Sequence, residues 1–377
     1  MYMNNTHSIK GNVISDVNID LFSRIVNNED ATKFELNTSP YGQVYQSLLK
    51  SSNQKPDKQF AFIWTHPDIL LNNFAKACQF ENFSTTALQN EIEEFSEKLL
   101  NFSSFYEKTF FVDWVIPCWN KGLGLGDINS DSGLRFILNH ARQILYKNLL
   151  HSGSIVFFDP LNWFIEAGIS NVYDTRLWYR GKSLYTKKVL KIAAEEFRHS
   201  VNILNGNAKK VLLLDLDDTL WGGIVGEVGW ENLNLGGHSP IGEAMVEFQK
   251  AVKALKNRGV ILGIVSKNEE SIALQAIQDN PEMILRIEDF SAHRINWNSK
   301  SHNILSIVEE LNVGLDSVVF IDDNPHERDH IRSTLADVTV PDWPDDKTQY
   351  VMSLSNLRCF DTLGVADEDR VRTDMYQ

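Results

Sequence analysis

Long apolar runs, paired cysteines and an excess of positive charge are all missing from this 377-residue chain. No stretch approaches the roughly 20 apolar residues that a membrane-crossing helix needs. The start, Met1-Tyr-Met-Asn-Asn5, has neither the basic residues nor the apolar block of a secretion signal. Three cysteines, Cys78, Cys118 and Cys359, form an odd and sparse set. They argue against a disulfide framework and for a reducing, cytoplasmic setting. No His/Cys group has zinc spacing. Lys and Arg number 36 against 50 Asp and Glu, a formal charge of -14. That balance disfavours nucleic acid, whose binding is dominated by phosphate neutralisation. Gly122-Leu-Gly-Leu-Gly126 lacks the spacing of a P-loop or a dinucleotide fingerprint, so it reads as a flexible turn. Neither an internal repeat nor a low-complexity tract is found.

What is present is a set of polar groups at the ends of apolar strands. The run Val211-Leu-Leu-Leu214 reads as a buried parallel strand and breaks into Asp215-Leu-Asp217-Asp-Thr219. A carboxylate just past the carboxyl end of such a strand lies where open α/β sheets bind ligands. Asp215 has the chemistry of a nucleophile that forms an acyl phosphate, and Asp217 that of an acid/base for the leaving oxygen and then for water. Two anions so close call for a hard cation, which points to Mg2+. The competing reading is an acidic strand-to-helix turn with Thr219 as a helix cap.

Two further strands weigh against that competitor. Val260-Ile-Leu-Gly-Ile-Val265 ends in Ser266-Lys267-Asn268, which offers a hydroxyl and backbone donors to phosphate oxygens. Lys300 follows, and Val318-Val-Phe-Ile321 delivers Asp322 and Asp323. This order of nucleophile, hydroxyl, lysine and metal carboxylates resembles the haloacid dehalogenase superfamily. The resemblance implies that Asp215 is nucleophile and metal ligand, and that Asp217 is acid/base with its carbonyl on the metal. It implies that Ser266 holds phosphate and that Lys300 balances Asp215 and the transferring group. Asp323 completes the Mg2+ shell, with Asp322 beside it or in its place.

The segments between these motifs narrow the resemblance. Trp221-Gly-Gly-Ile-Val-Gly-Glu-Val-Gly-Trp230, Leu235-Gly-Gly-His-Ser-Pro-Ile-Gly242, Arg294-Ile-Asn-Trp297, Ile321-Asp-Asp-Asn-Pro-His-Glu-Arg328 and Leu357-Arg-Cys-Phe-Asp361 are similar to the FkbH-like glyceryltransferases of polyketide assembly. Glu368-Asp-Arg370 belongs to the same set, and the resemblance is looser upstream of Val211. The family implies that 1,3-bisphosphoglycerate is dephosphorylated and its glyceryl unit loaded as a thioester onto the phosphopantetheine arm of an acyl carrier protein. The alternative is a Mg2+-dependent aspartate phosphatase for a small phosphorylated metabolite, without acyl transfer.

Under the transferase reading an acyl thiol is needed. Cys359 is the first candidate because it sits in a family-like stretch, Cys118 in its Pro-Cys-Trp turn is the second, and direct attack by the carrier thiol is the third. Thr219, Lys267 and Asn268 are candidate phosphate contacts. His238, Arg294 and Arg328 are candidates for the remaining substrate oxygens, Arg328 through bidentate pairing. For carrier docking, the densest basic group is Arg176, Arg180, Lys182, Lys187, Lys188 and Lys191.

The expected architecture is α/β throughout. A haloacid-dehalogenase-like Rossmannoid parallel sheet occupies residues 207–377, preceded over residues 1–206 by a smaller α/β domain with a degenerate resemblance to SGNH hydrolases. In that first half, Phe60 to Trp64, Phe110 to Ile116 and Ile155 to Phe158 read as buried strands. Leu88, Ile92, Phe95, Leu99 and Phe102 recur at helical spacing after the polar start Ser84-Thr-Thr86. Strand, helix, strand implies a parallel sheet. No Gly-Asp-Ser nucleophile motif occurs there, so no hydrolysis is assigned to it. The tail, Asp367 to Tyr376, reads as a charged helix.

Overall fold

The computed structural model describes residues 8–28, 33–50 and 59–364. The tail helix expected from Asp367 to Tyr376, the Glu368-Asp-Arg370 stretch and the first residues of the chain lie outside them. The chain divides into two compact units between Arg198 and His199, within the helix Lys187–Asn202.

The first unit holds five parallel strands: β1 (Ile9–Ser15), β2 (Phe34–Thr38), β3 (Phe60–Trp64), β4 (Lys108–Val112) and β5 (Ile155–Phe158). Their order is β2-β1-β3-β4-β5, an order of doubly wound sheets whose reversal point lies between β1 and β3. β4 starts and stops earlier than its apolar run suggests. Past Val112, the Asp113 carboxylate accepts from Trp114 N and is gripped by Arg142 and Tyr146, which turns the chain out of the ladder. The helix Thr85–Ser103 buries Leu88, Ile92, Phe95, Leu99 and Phe102, and Ser84 Oγ caps it by accepting from Ala87 N at 3.2 Å. With five strands against four among the described residues, this unit is not the smaller one that the sequence suggests.

The second unit contains β6 (Val211–Leu214), β7 (Ile261–Ser266), β8 (Ala292–Ile295) and β9 (Val318–Ile321), all parallel, in the order β8-β7-β6-β9. Alternation sends Leu212, Leu214 and Ile264 to one face, with Phe248 and Val252 of the helix Pro240–Asn257. Val211, Leu213 and Ile261 face the other, against Ile304, Ile307 and Ile331. Both faces being covered explains why the strands read as continuous apolar runs. Gly263 on β7 packs closely, since a Cβ there would stand 2.6 Å from a Leu213 methyl and force that core side chain to shift.

Register then sets the site. Leu214 pairs with Ile264 on one side and Ile321 on the other. The residues that follow these strands therefore emerge together at the carboxyl edge. Three helices leave from that edge or its loops, each with a side-chain cap: Ser239 for Pro240–Asn257, Ser299 for Lys300–Glu310 and Asn324 for Pro325–Thr334. No helix among the described residues is long and apolar enough to cross a membrane.

Candidate active site

Asp215 leaves β6 with its backbone N–H still bonded to Ile321 O at 3.0 Å, which holds it level with the end of β9. Its Oδ2 meets Lys300 Nζ at 2.9 Å, and the same ammonium lies 2.6 Å from Asp322 Oδ2. All three side chains are buried. Burial works against the Lys300 charge, but Asp215 and Asp322 raise its pKa, so it stays protonated. Burial and the charge of Asp215 together push the Asp322 carboxyl up to about 7 despite Lys300. Burial, then Asp215 and Asp218, push Asp323 up to about 6. The pocket holds more carboxylate than its lysine neutralises, which is an electrostatic opening for a cation.

Geometry agrees with a metal there. Oxygens of Asp215, Asp322 and Asp323 lie within 4.8 Å of one another. Asp215 Oδ1 is buried and has no hydrogen-bond partner among the described residues, a costly arrangement unless something else satisfies it. Asp322 already spends Oδ2 on Lys300 and Oδ1 on Asn324 N at 2.9 Å. Asp323 accepts a long 3.5 Å contact from Thr219 Oγ1, while its own N–H donates to that hydroxyl at 3.2 Å. Asp323 is thus the less engaged of the pair.

Asp217 has a separate set of partners. Its Oδ1 accepts from Trp221 Nε1 at 2.8 Å and Val225 N at 3.0 Å, and its Oδ2 from Asn268 Nδ2 at 2.7 Å. Burial raises its pKa, while these three donors pull it back. A carboxyl balanced in this way is suited to carrying a proton and giving it up. Asn268, expected to contact phosphate, donates here to the Asp217 carboxylate. Ser266 ends β7 as a buried residue, in register with Ile295. Lys267 reaches Glu327 at 2.6 Å.

The remaining candidates are engaged in other ways. Arg328 is buried, and its Nη1 donates to the carbonyls of Asp322 (2.8 Å) and Asp323 (2.6 Å), so it braces the carboxylate loop instead of reaching outward. Arg294 is occupied by Ser306 Oγ at 3.1 Å, His293 O at 2.9 Å and Glu310 Oε2 at 2.5 Å. His238 lines a recess with Trp230, Asn280 and Glu282, one that none of the motif carboxylates lines.

Cys359 lies apart from the aspartate centre. Its carbonyl accepts from Lys209 N at 2.9 Å, which places it at the amino end of β6. Asp215 is at the other end, six residues on, roughly 20 Å away at about 3.3 Å per residue. Burial also pushes the Cys359 thiol up to about 11, away from a reactive thiolate. It is no part of the aspartate centre. Cys118, in the first unit, is exposed and lines a cavity of about 340 Å³ with Ile116, Leu138, Phe164 and Tyr173.

Trp221 and Asp218 were not anticipated as site residues. Trp221 lies one helical turn's spacing after Asp217, a faint local signal for its contact.

Two parallel α/β units, one with carboxylates and a lysine gathered at the carboxyl edge of its sheet, are consistent with an α/β phosphatase fold. The chain superposes with a TM-score of 0.81 on the crystal structure of the N-terminal part of the protein BF1531 from Bacteroides fragilis, which contains a phosphatase domain complexed with Mg. The two are 26% identical, over 94% of each chain. No protein-family model matches the sequence. No curated protein matches it either.

Proposed function

We propose that this chain is a Mg2+-dependent phosphatase of the haloacid dehalogenase superfamily with Asp215 as nucleophile, and that it serves glyceryl transfer from 1,3-bisphosphoglycerate to an acyl carrier protein. One observation carries the phosphatase reading: Asp215 Oδ1 is buried without a hydrogen-bond partner among the described residues, in a carboxylate clustered with those of Asp322 and Asp323, and Lys300 sits on its other oxygen. The Mg-complexed phosphatase domain in the superposed protein supports it. Asp215 and Asp323 would hold the ion, with the Asp217 carbonyl and with Asp322 adjacent. Once bound, it would offset carboxylate repulsion and the charge of the incoming phosphate.

In this reading an Asp215 oxygen attacks phosphorus, the ester P–O bond breaks, and the leaving oxygen takes the proton of Asp217. Water then attacks the aspartyl phosphate and gives its proton to Asp217, releasing phosphate and restoring both carboxyls. Lys300 stays charged throughout and steadies the anion that builds on Asp215 and the phosphoryl group.

The glyceryl and carrier part of the proposal rests on the resemblance between Trp221 and Asp361. With Cys359 at the far end of β6, the carrier's own thiol is the preferred acceptor of the acyl group. We take the five-stranded unit as the degenerate SGNH-like partner of residues 207–377. The deciding experiment incubates the protein with 1,3-bisphosphoglycerate, Mg2+ and a phosphopantetheinylated carrier protein. A glyceryl mass increment on the carrier together with released phosphate supports the transferase. Phosphate release without carrier acylation leaves the plain phosphatase. Asp215→Asn should lose at least roughly 10³-fold of either activity, and near-normal turnover would remove the aspartate mechanism.

A further inference from the structure

We propose that Lys347 and Tyr350 are positioning residues of the aspartate centre, acting through Asp218; the inference rests on the phosphatase reading above. Asp218 adopts a left-handed backbone with φ of 54°. Residues with a Cβ avoid that region, and Asp is among the few that enter it. Its conformation makes the motif loop turn tightly, with Thr219 N and Leu220 N both bonded to Leu216 O. That turn aims Asp217 at Trp221 and Asn268, and aims Thr219 at Asp323.

Asp218 is held on two sides. Its Oδ1 accepts from Gly223 N at 3.0 Å, inside the loop, and its Oδ1 also meets Lys347 Nζ at 2.9 Å. Its carbonyl accepts from the Tyr350 hydroxyl at 3.0 Å. Lys347 and Tyr350 belong to the segment that returns after β9, across 129 and 132 positions of chain from Asp218. Tyr350 is fully buried, packed at ring-centroid distances of 5.4 Å from Phe248 and 5.2 Å from Trp343, so its hydroxyl has a fixed place. Asp346 fixes the turn that carries Lys347 by accepting from Thr348 N at 3.0 Å. Lys347 is also among the charges felt at Asp323. The returning segment therefore sets the angle of the nucleophile loop from behind and supplies the centre with a second cation besides Lys300.

Tyr350→Phe keeps the ring and removes the hydroxyl alone. Lys347→Ala removes the cation, and Lys347→Arg restores it. Hydrolysis of p-nitrophenyl phosphate with Mg2+, the thermal midpoint, and Mn2+ binding by electron paramagnetic resonance separate positioning from packing. Tyr350→Phe should lower kcat about fivefold to tenfold with KM within about twofold, and leave the midpoint within about 3 °C. Mn2+ should bind about threefold more weakly to Tyr350→Phe and about threefold more tightly to Lys347→Ala, since the latter loses a competing charge. Lys347→Arg should return kcat and Mn2+ affinity toward the parent values. Opposite signs of this kind do not arise from general loosening of the fold. Unchanged kcat and Mn2+ affinity in both variants would overturn the proposal, as would losses that follow the midpoint and are not rescued by arginine. If the parent protein is inert toward p-nitrophenyl phosphate, the phosphatase reading fails on that substrate, and the Mn2+ measurements still decide the positioning role.

Discussion

Asn268 donates to Asp217 Oδ2 at 2.7 Å, joining the loop after β7 to the loop after β6. The carboxyl proposed as acid/base is thereby oriented by an amide that carries no charge of its own. Removing this donor leaves Asp217 with Trp221 and Val225 on the other oxygen and Oδ2 free to pivot about that anchor.

Asn268→Ala should accordingly lower kcat for phosphate release by about 10- to 100-fold, a part of what positioned acid/base catalysis contributes. KM should change little if the Asn268 amide stays on Asp217 when substrate binds. A large rise in KM with kcat preserved would instead make Asn268 a phosphate contact. Steady-state kinetics on a small phosphate ester distinguishes the two.

Lys300→Met tests the buried network. The substitution leaves Asp215 and Asp322 facing each other without their shared ammonium, and breaking a buried pair in this way costs about 3–5 kcal/mol. The loss should be larger at pH 8 than at pH 6. Asp322 is already pushed up to about 7, so acidification protonates it and relieves the repulsion. Urea unfolding at the two pH values measures this, and an equal loss at both would show that Lys300 does not govern the pair.

Strand ends are where the sequence was most legible. β3 and β5 begin and end where their apolar runs do, and the helix Thr85–Ser103 follows its 3.6-residue pattern and its Ser84 cap. Asp215, Lys300, Asp322 and Asp323 assemble because parallel register aligns the ends of β6 and β9. Contacts between side chains far apart in the chain leave no such periodicity. Asp217 with Asn268, Asp218 with Tyr350, and the buried Asp16, His66 and Tyr185 chain belong to that group. The place of Cys359 was equally illegible: its neighbours in sequence resemble a family, but only the fold shows that the turn Arg358–Phe360 meets the chain at Lys209, before the amino end of β6.

That placement makes Cys359→Ser a sharp test. Phosphate release should stay within about twofold of the parent, since the residue stands roughly 20 Å from Asp215 by strand length. Alkylation by iodoacetamide at pH 8 should be slow, because a thiol pushed up to about 11 is almost wholly protonated there. A loss of turnover beyond about tenfold, without unfolding, would return the cysteine to the chemistry.

The last prediction concerns the first unit, at the reversal point of its sheet. Following β1 and β3, the buried Asp16 and His66 meet through Oδ1 and Nδ1 at 2.6 Å, and His66 Nε2 meets the Tyr185 hydroxyl at 2.6 Å. Burial alone would lower the His66 pKa, but the charge and hydrogen bond of Asp16, with Asp68, raise it above its ordinary value. A group raised on folding stabilises the protein fully below its unfolded pKa of about 6.5, and that contribution is lost as pH rises through the folded pKa. Stability of this unit should therefore fall on the alkaline side of about pH 6.5. His66→Gln should be less stable near neutrality and should lack the slope. Hydrogen exchange at the amides of β1 and β3 across a pH series, corrected for intrinsic exchange, reads the effect in this unit alone. Protection that is as pH-dependent in His66→Gln as in the parent would assign the slope to other groups.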